Sequence, residues 1–408
     1  MMYLTREEER IYDGEYGWAK QVCMKILVKL GELFDASRLI PIETAHVSGV
    51  SYKTLGDAPI DFLEALANSG GKAVVEATLN PQSFDPYLAA KFPENLVKAQ
   101  LKLCQLFDKM GFKGSYTCTP YYIKKPARGS HLAWAESSAV VYANSVLGAW
   151  TNREGGPSAL AAAIIGKTPD YGIHKAENRK PKVLVKVEAK LEKDVDYGAL
   201  GIFLGRFLGD RIPLITGLEK PTPENLKQLG AALATTGMVN MFHYKDTETG
   251  TKWEPLEKIS VYSKDINETI NELTTTSQPK PDLVFIGCPH CSLREIREIA
   301  EIIGNRKVRA DLELWICTSR HVKEKAKHYV RNIEASGAKV ITDTCVPNHM
   351  DRKTRNKNNN DKLSQNSTLR PNHEHGRCKT NKPQRMLKNS PERIKLIRRK
   401  TLHNTALR

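Results

Sequence analysis

Three cysteines in three unlike settings stand out as candidates for joint chemistry: Cys118 in Ser-Tyr-Thr-Cys-Thr-Pro, Cys288 in Phe-Ile-Gly-Cys-Pro-His and Cys345 in Thr-Asp-Thr-Cys. Each follows a stretch that reads as a buried strand, so a fold can bring the thiols to one point although they lie far apart in sequence. Three converging thiolates with no fourth suit an iron–sulfur cluster held at three corners, with one iron left open as a Lewis acid toward a substrate oxygen. Loss of water from a β-hydroxy acid needs such a cation on the leaving hydroxyl, a base for the carbon-bound proton and groups that grip the carboxylate. A redox reading competes. Cys288-Pro289-His290-Cys291, after a strand and before a helix, is also the pattern of a thiol–disulfide oxidoreductase, whose first thiol a helix N-terminus would acidify.

Other residues suit anions. Ser48-Gly49-Val50-Ser51 offers close backbone N–H groups and hydroxyls after one strand, and Asn80-Pro81 ends another, which places both at the carboxyl edge of a sheet where ligands gather. A solvated turn is the competing reading of each. Asn144-Ser145 close an apolar helix, and Arg153 stands in a Gly-rich loop suited to bidentate recognition of a carboxylate or phosphate. Cys23, Cys104 and Cys317 lie within apolar patterns and read as core packing.

The elements that must position these residues alternate as α/β protein does. Thr5 with Glu8 makes a capping box, and Ala19, Val22, Cys23, Ile26, Leu27, Leu30 and Leu33 trace one face of a long helix. Strands are expected at Leu39 to Ile42, Ala73 to Ala77, Val183 to Val187, Pro213 to Thr216, Leu283 to Ile286, Leu312 to Cys317 and Lys339 to Thr342. Helices are expected at Ile60 to Ala67, Leu96 to Met110, Glu224 to Thr235, Leu293 to Ile303 and Val322 to Ala335, and the polar Ser263 to Pro281 reads as a connector. Four regions follow: 1–181 with the first cysteine and the anion loops, 182–275, 276–345 with the other two cysteines, and 346–408 as a basic tail.

The net charge of +16 looks like a nucleic-acid signal until it is divided along the chain. Residues 346–408 hold 17 Lys or Arg against 4 Asp or Glu, so the tail carries +13 and the body is nearly neutral. With no Phe, Tyr or Trp the tail is expected to be disordered, to bind nucleic acid only non-specifically if at all, and to continue the chain as a shifted reading frame would. No apolar run approaches the roughly 20 residues of a membrane span. The acidic start, Met-Met-Tyr-Leu-Thr-Arg-Glu-Glu-Glu, is no export leader, which with the cysteine usage implies a cytoplasmic protein.

The cysteine settings resemble those of the aconitase X family, as does the block from Trp134 to Ala149 followed by Thr151-Asn152-Arg153-Glu154-Gly155-Gly156-Pro157. The resemblance covers residues 1–345 and implies an aconitase-like arrangement of parallel-sheet α/β units around a cluster cleft. It implies a [4Fe–4S] cluster on Cys118, Cys288 and Cys345, with substrate bound by Gly49, Val50, Ser51, Asn80, Pro81, Asn144, Ser145 and Arg153. Cys291 is then incidental, and Pro289 and His290 shape the ligand loop. Trp150 stands where the family usually has Arg, which leaves any ligand contact of that position in question. For a member without a fused swivelling domain, the resemblance implies a heterodimer with a small swivelling subunit, which would also supply the catalytic base. The implied substrate is a small phosphorylated hydroxy acid, (R)-5-phosphomevalonate, dehydrated to trans-anhydromevalonate 5-phosphate on a mevalonate route. Hydroxyproline dehydration is the alternative within the same family.

Overall fold

The computed structural model describes residues 2–112, 114–244, 257–274 and 281–345. The expectations for the basic tail fall on residues outside these. The first unit contains β1 (Leu39–Pro41), β2 (Thr44–Val47), β3 (Glu76–Leu79), β4 (Leu132–Trp134) and β5 (Lys167–Pro169). Its main sheet has the order β3-β2-β4 and is parallel throughout, with Thr44 level with Glu76 on one side and Leu132 on the other; β1 and β5 form a separate antiparallel pair. Alternation sorts the two faces. Ala45, Val47 and Ala133 join the core beneath the helices Trp18–Leu33 and Gly156–Ile165, whereas Leu132 and Trp134 join a second cluster with Tyr121 and Tyr142. The Trp134 indole N–H donates to Thr44 Oγ1 at 3.1 Å, satisfying the one polar atom this fully buried ring brings inside.

The second unit is the parallel sheet β7-β6-β8, built from β6 (Val183–Val187), β7 (Pro213–Thr216) and β8 (Glu257–Val261). Val183, Val185 and Ile215 are fully buried, each stabilising the unit by about 1.5–3 kcal/mol. Its helices Asp194–Leu208 and Pro223–Thr236 pack at backbone contact: a Cβ on Gly201 would stand 2.6 Å from the Ala232 methyl. The third unit is the parallel sheet β11-β10-β9, with β9 (Leu283–Cys291), β10 (Glu313–Thr318) and β11 (Lys339–Thr342).

The α/β expectation with parallel sheets holds, and several boundaries move. The first long helix is two, Arg6–Asp13 and Trp18–Leu33, broken where Gly14 and Gly17 take φ of 95° and 91°. The strand expected at Ala73 to Ala77 forms at Glu76–Leu79, because the Ala73 and Val74 N–H groups are drawn to the carbonyls of Met110 and Ala163. The helix expected at Val322 to Ala335 breaks at Ala326. The connector expected after residue 262 begins as the helix Ser263–Leu273, whose polar composition hides a buried stripe of Ile266, Thr269 and Ile270.

Candidate active site

Parallel strands send all their carboxyl ends to one edge. From the first sheet these ends are Ser48–Ser51 after β2, Asn80–Pro81 after β3 and Ala135–Glu136 after β4. Single parallel bridges, Leu79 to Tyr116 and Trp134 to Arg153, extend the sheet on both sides and deliver Cys118 and Arg153 to the same edge.

The third sheet presents its two cysteines by different means. Along β9 the register advances from Ile286 to Cys291 while β10 advances only from Ile316 to Thr318, so Gly287 to His290 are extruded from the strand. Only glycine fits at the start of this bulge: Gly287 has φ 120°, and a Cβ there would overlap the Cys317 carbonyl. The Cys288–Pro289 peptide is cis. At the other cysteine, the chain leaving β11 turns at Asp343, with φ 64°, toward Cys345. Asp343 is buried and ion-paired to Arg320 at 2.5 Å; burial outweighs the guanidinium and lifts its carboxyl to about 7.

These ends meet at the cysteines. The His290 N–H donates to Cys118 Sγ at 3.2 Å, and the Cys317 thiol donates to the Thr344 carbonyl at 3.0 Å. Burial pushes the Cys118 thiol well up, and the neighbouring Glu136 carboxylate, Cys288 and Cys345 push the same way, so the three cysteines share one electrostatic neighbourhood. The Cys288 thiol is raised to about 11 by burial and by Glu136, with Lys227 opposing. Yet Cys288 is exposed to solvent and Cys118 and Cys345 are half-buried.

Two clasps hold the units in register. Asp85 Oδ2 accepts the Thr342 N–H at 2.7 Å and the Gln82 N–H donates to the Asp343 carbonyl at 2.8 Å, joining the first unit to the Cys345 turn. From the second unit Lys227, 1% exposed, donates to the His290 carbonyl at 3.1 Å and to Glu295 at 2.5 Å. Burial opposes the charge on Lys227, but the Glu295 carboxylate outweighs it and keeps the ammonium protonated. Glu295 also caps its own helix by accepting the Ser292 N–H at 2.7 Å.

The anion-loop residues divide. Gly49, with φ 81°, Val50 and Ser51 form the turn after β2; the Ser51 hydroxyl is tied to Ser83 at 3.1 Å, and Gln100 donates to the Val50 carbonyl at 2.9 Å. Pro81 is buried, and the Asn80 side chain is half-buried and interacts with the buried His46 ring. Arg153 donates from one terminal nitrogen to the Val239 carbonyl at 3.1 Å, while its Nε is buried and unpartnered, and burial lowers its pKa. Asn144 is committed inside the protein: its amide donates to the carbonyls of Thr151 (2.9 Å) and Asn240 (3.0 Å), and its Oδ1 accepts from Thr151 N–H and Arg179. The Ser145 hydroxyl accepts the Phe242 N–H at 2.8 Å. Trp150 lies against the Arg179 guanidinium at 4.2 Å, so this ring packs over a structural arginine.

The placement of the two cysteines argues against the redox reading. Cys288 and Cys291 both belong to β9, the following helix starts at Leu293 behind its Ser292 cap, and Cys291 is buried in the core. Neither thiol is in a helical first turn, and the Cys288 thiol is raised instead of acidified. Cys23 and Cys317 are buried as expected, while Cys104 is half-buried and donates to Gln82 at 3.2 Å. Sequence reading missed Glu136, Thr344 and Lys227. Glu136 carried a signal as the residue just past a strand, whereas Lys227 showed only as a lysine within the apolar run of its helix.

Three thiols are a soft donor set suited to an iron–sulfur cluster. Among the described residues no group of three or more His, Cys, Asp or Glu side chains is placed to hold a single metal ion.

Comparison with known proteins agrees with this layout. Residues 1–177, 181–271 and 281–378 match the first, second and third domains of aconitase X. The chain is 47% identical to the phosphomevalonate dehydratase large subunit of Methanocaldococcus jannaschii, over 85% of this chain and 89% of that one. It is 32% identical to the cis-3-hydroxy-L-proline dehydratase of Pseudomonas aeruginosa, over 83% of this chain but 61% of that one. The crystal structure of Thermococcus kodakaraensis aconitase X in its holo-form superposes with a TM-score of 0.78 at 43% identity, covering 85% of this chain and 89% of that one. Large-subunit homology implies a complex with a small subunit. Among the described residues no helix is long and apolar enough to cross a membrane.

Proposed function

Because the chain belongs to the aconitase X family, which uses iron–sulfur clusters, we propose that it is the large subunit of a hydro-lyase converting (R)-5-phosphomevalonate to trans-anhydromevalonate 5-phosphate in an archaeal-type mevalonate route. The observation that carries the substrate is identity. The chain is 47% identical to the phosphomevalonate dehydratase large subunit of Methanocaldococcus jannaschii and 32% identical to the cis-3-hydroxy-L-proline dehydratase of Pseudomonas aeruginosa.

Cys118, Cys288 and Cys345 are the residues that would hold a cluster, of the [4Fe–4S] type in this reading. When bound, such a cluster supplies an open Lewis acid that makes the substrate hydroxyl a better leaving group. The chain's own part is to bind and orient an anion. Arg153 Nε and the Thr344 hydroxyl are buried polar groups with no partner among the described residues, and such groups can be satisfied by a ligand or water. The turn Gly49 to Ser51 and the Asn80–Pro81 end stand at the same edge to receive carboxylate or phosphate. The exposed Cys288 calls for a cover, which we assign to a small swivelling subunit that also brings the base for the carbon-bound proton. One feature favours hydroxyproline: Glu136, beside Cys118 and Cys288, would pair with a cationic ring nitrogen.

Co-expression with a small subunit without oxygen, followed by assay of water elimination from both substrates, separates these readings. Turnover of phosphomevalonate with hydroxyproline untouched is expected. The reverse preference would overturn the substrate assignment.

A further inference from the structure

His290 touches all three cysteine segments. It belongs to the Cys288 bulge, and its backbone N–H donates to Cys118 Sγ at 3.2 Å. Its ring Nε2 lies 2.8 Å from the Thr344 carbonyl, the residue before Cys345, and its Nδ1 lies 3.0 Å from Thr117 Oγ1, the residue before Cys118. A carbonyl can only accept, so Nε2 carries the proton and Nδ1 accepts from the Thr117 hydroxyl. That hydroxyl in turn accepts the Thr119 N–H at 3.1 Å, which leaves its proton free for the ring. The imidazole is fully buried and all its polar atoms are used within the protein. Its carbonyl is gripped by Lys227 of the second unit, so this residue joins segments of all three units.

We propose that His290 is a positioning residue that braces the three cysteine segments against one another, so that Cys118, Cys288 and Cys345 are held at one place before any cluster is present. This rests on the reading of the three cysteines as cluster ligands, but the preset spacing belongs to the polypeptide and is measurable without iron. The ring fixes the distance between the Thr117–Cys118 and Thr344–Cys345 segments, and the bulge carries Cys288 with it. A rigid, prepaid geometry lowers the cost of ordering three flexible segments when the ligand arrives.

The test uses the 408-residue chain, freed of iron and reduced, with dibromobimane as a thiol-bridging probe and peptide mapping to identify the bridged pair. In the wild type, bridges are expected to link Cys118, Cys288 and Cys345. His290→Ala and Thr117→Val are each expected to slow that bridging about tenfold, the effect of losing one to two buried hydrogen bonds, with Thr117→Ser restoring it. After anaerobic reconstitution, the electron paramagnetic resonance spectrum of the reduced cluster should broaden in the same two variants and recover in Thr117→Ser. Should His290→Ala fail to fold, Thr117→Val against Thr117→Ser decides. Bridging and spectrum unchanged in folded variants would overturn the brace while leaving the cluster reading intact. A wild type that takes up no iron yet bridges in a Thr117-dependent way would instead overturn the cluster reading and keep the brace.

Discussion

Two stretches that the sequence marks equally, the cysteine segments and the Asn144–Ser145 helix end, use their polar groups in opposite ways. Asn144 has each donor and acceptor engaged by Thr151, Asn240 and Arg179, and Ser145 is held by Phe242, so this stretch fastens the first unit to the second. Around the cysteines, Arg153 Nε and the Thr344 hydroxyl are buried and have no partner among the described residues. Hydrogen-bonding capacity left over distinguishes a binding surface from framework, where residue type alone does not.

The largest way to strain that distinction is to break the framework behind the site. Lys227→Met leaves Glu295 buried without its cation beside the Cys288 bulge and is expected to cost about 3–5 kcal/mol in denaturant unfolding. A loss below about 1 kcal/mol would mean that the clasp between the second and third units is incidental. Asn144→Ala should come next, lowering stability by about 2–3 kcal/mol while leaving KM of the assembled enzyme unchanged. Arg153→Ala should raise KM roughly 10- to 150-fold, since one charge-assisted contact is worth about 1.5–3 kcal/mol, and should also lower stability through loss of its bond to the Val239 carbonyl. Exchanged outcomes for these two would invert the comparison.

A further test is a pH slope. His46 and His174 are buried, and desolvation lowers both to about 3 from an ordinary value of 6.5. Below 6.5 the unfolded chain takes up protons that the folded chain refuses, so the contribution of each is complete above 6.5 and is lost as pH falls toward 3. The free energy of unfolding should therefore decline below pH 6.5, by up to about 1.4 kcal/mol per pH unit for each histidine. In His174→Gln that slope should be shallower; an unchanged slope would show the ring to be protonated in the fold.

The sequence carried the architecture where strands and helices are regular. Parallel alternation placed Cys118, the anion loops and Arg153 at one edge, because side-chain period and strand direction follow from local pattern. What it hid depends on long-range register. The Gly287–His290 bulge exists only in the pairing with β10, and the Lys227 clasp only in the packing of one unit on another. The helix Ser263–Leu273 was hidden for a different reason, since Lys264, Asn267, Glu268, Asn271 and Glu272 are exposed and only Ile266 and Ile270 are apolar among the residues it buries.

The central claim, that Cys118, Cys288 and Cys345 together hold the reactive cluster, is tested most directly by iron and sulfide content of the chain purified without oxygen. The wild type and Cys291→Ala are expected to carry both, with a broad visible absorption, whereas Cys118→Ala, Cys288→Ala and Cys345→Ala each lose it. A colourless wild type in which Cys288 and Cys291 cycle between dithiol and disulfide, or a cluster that survives any one of the three substitutions, would contradict the account.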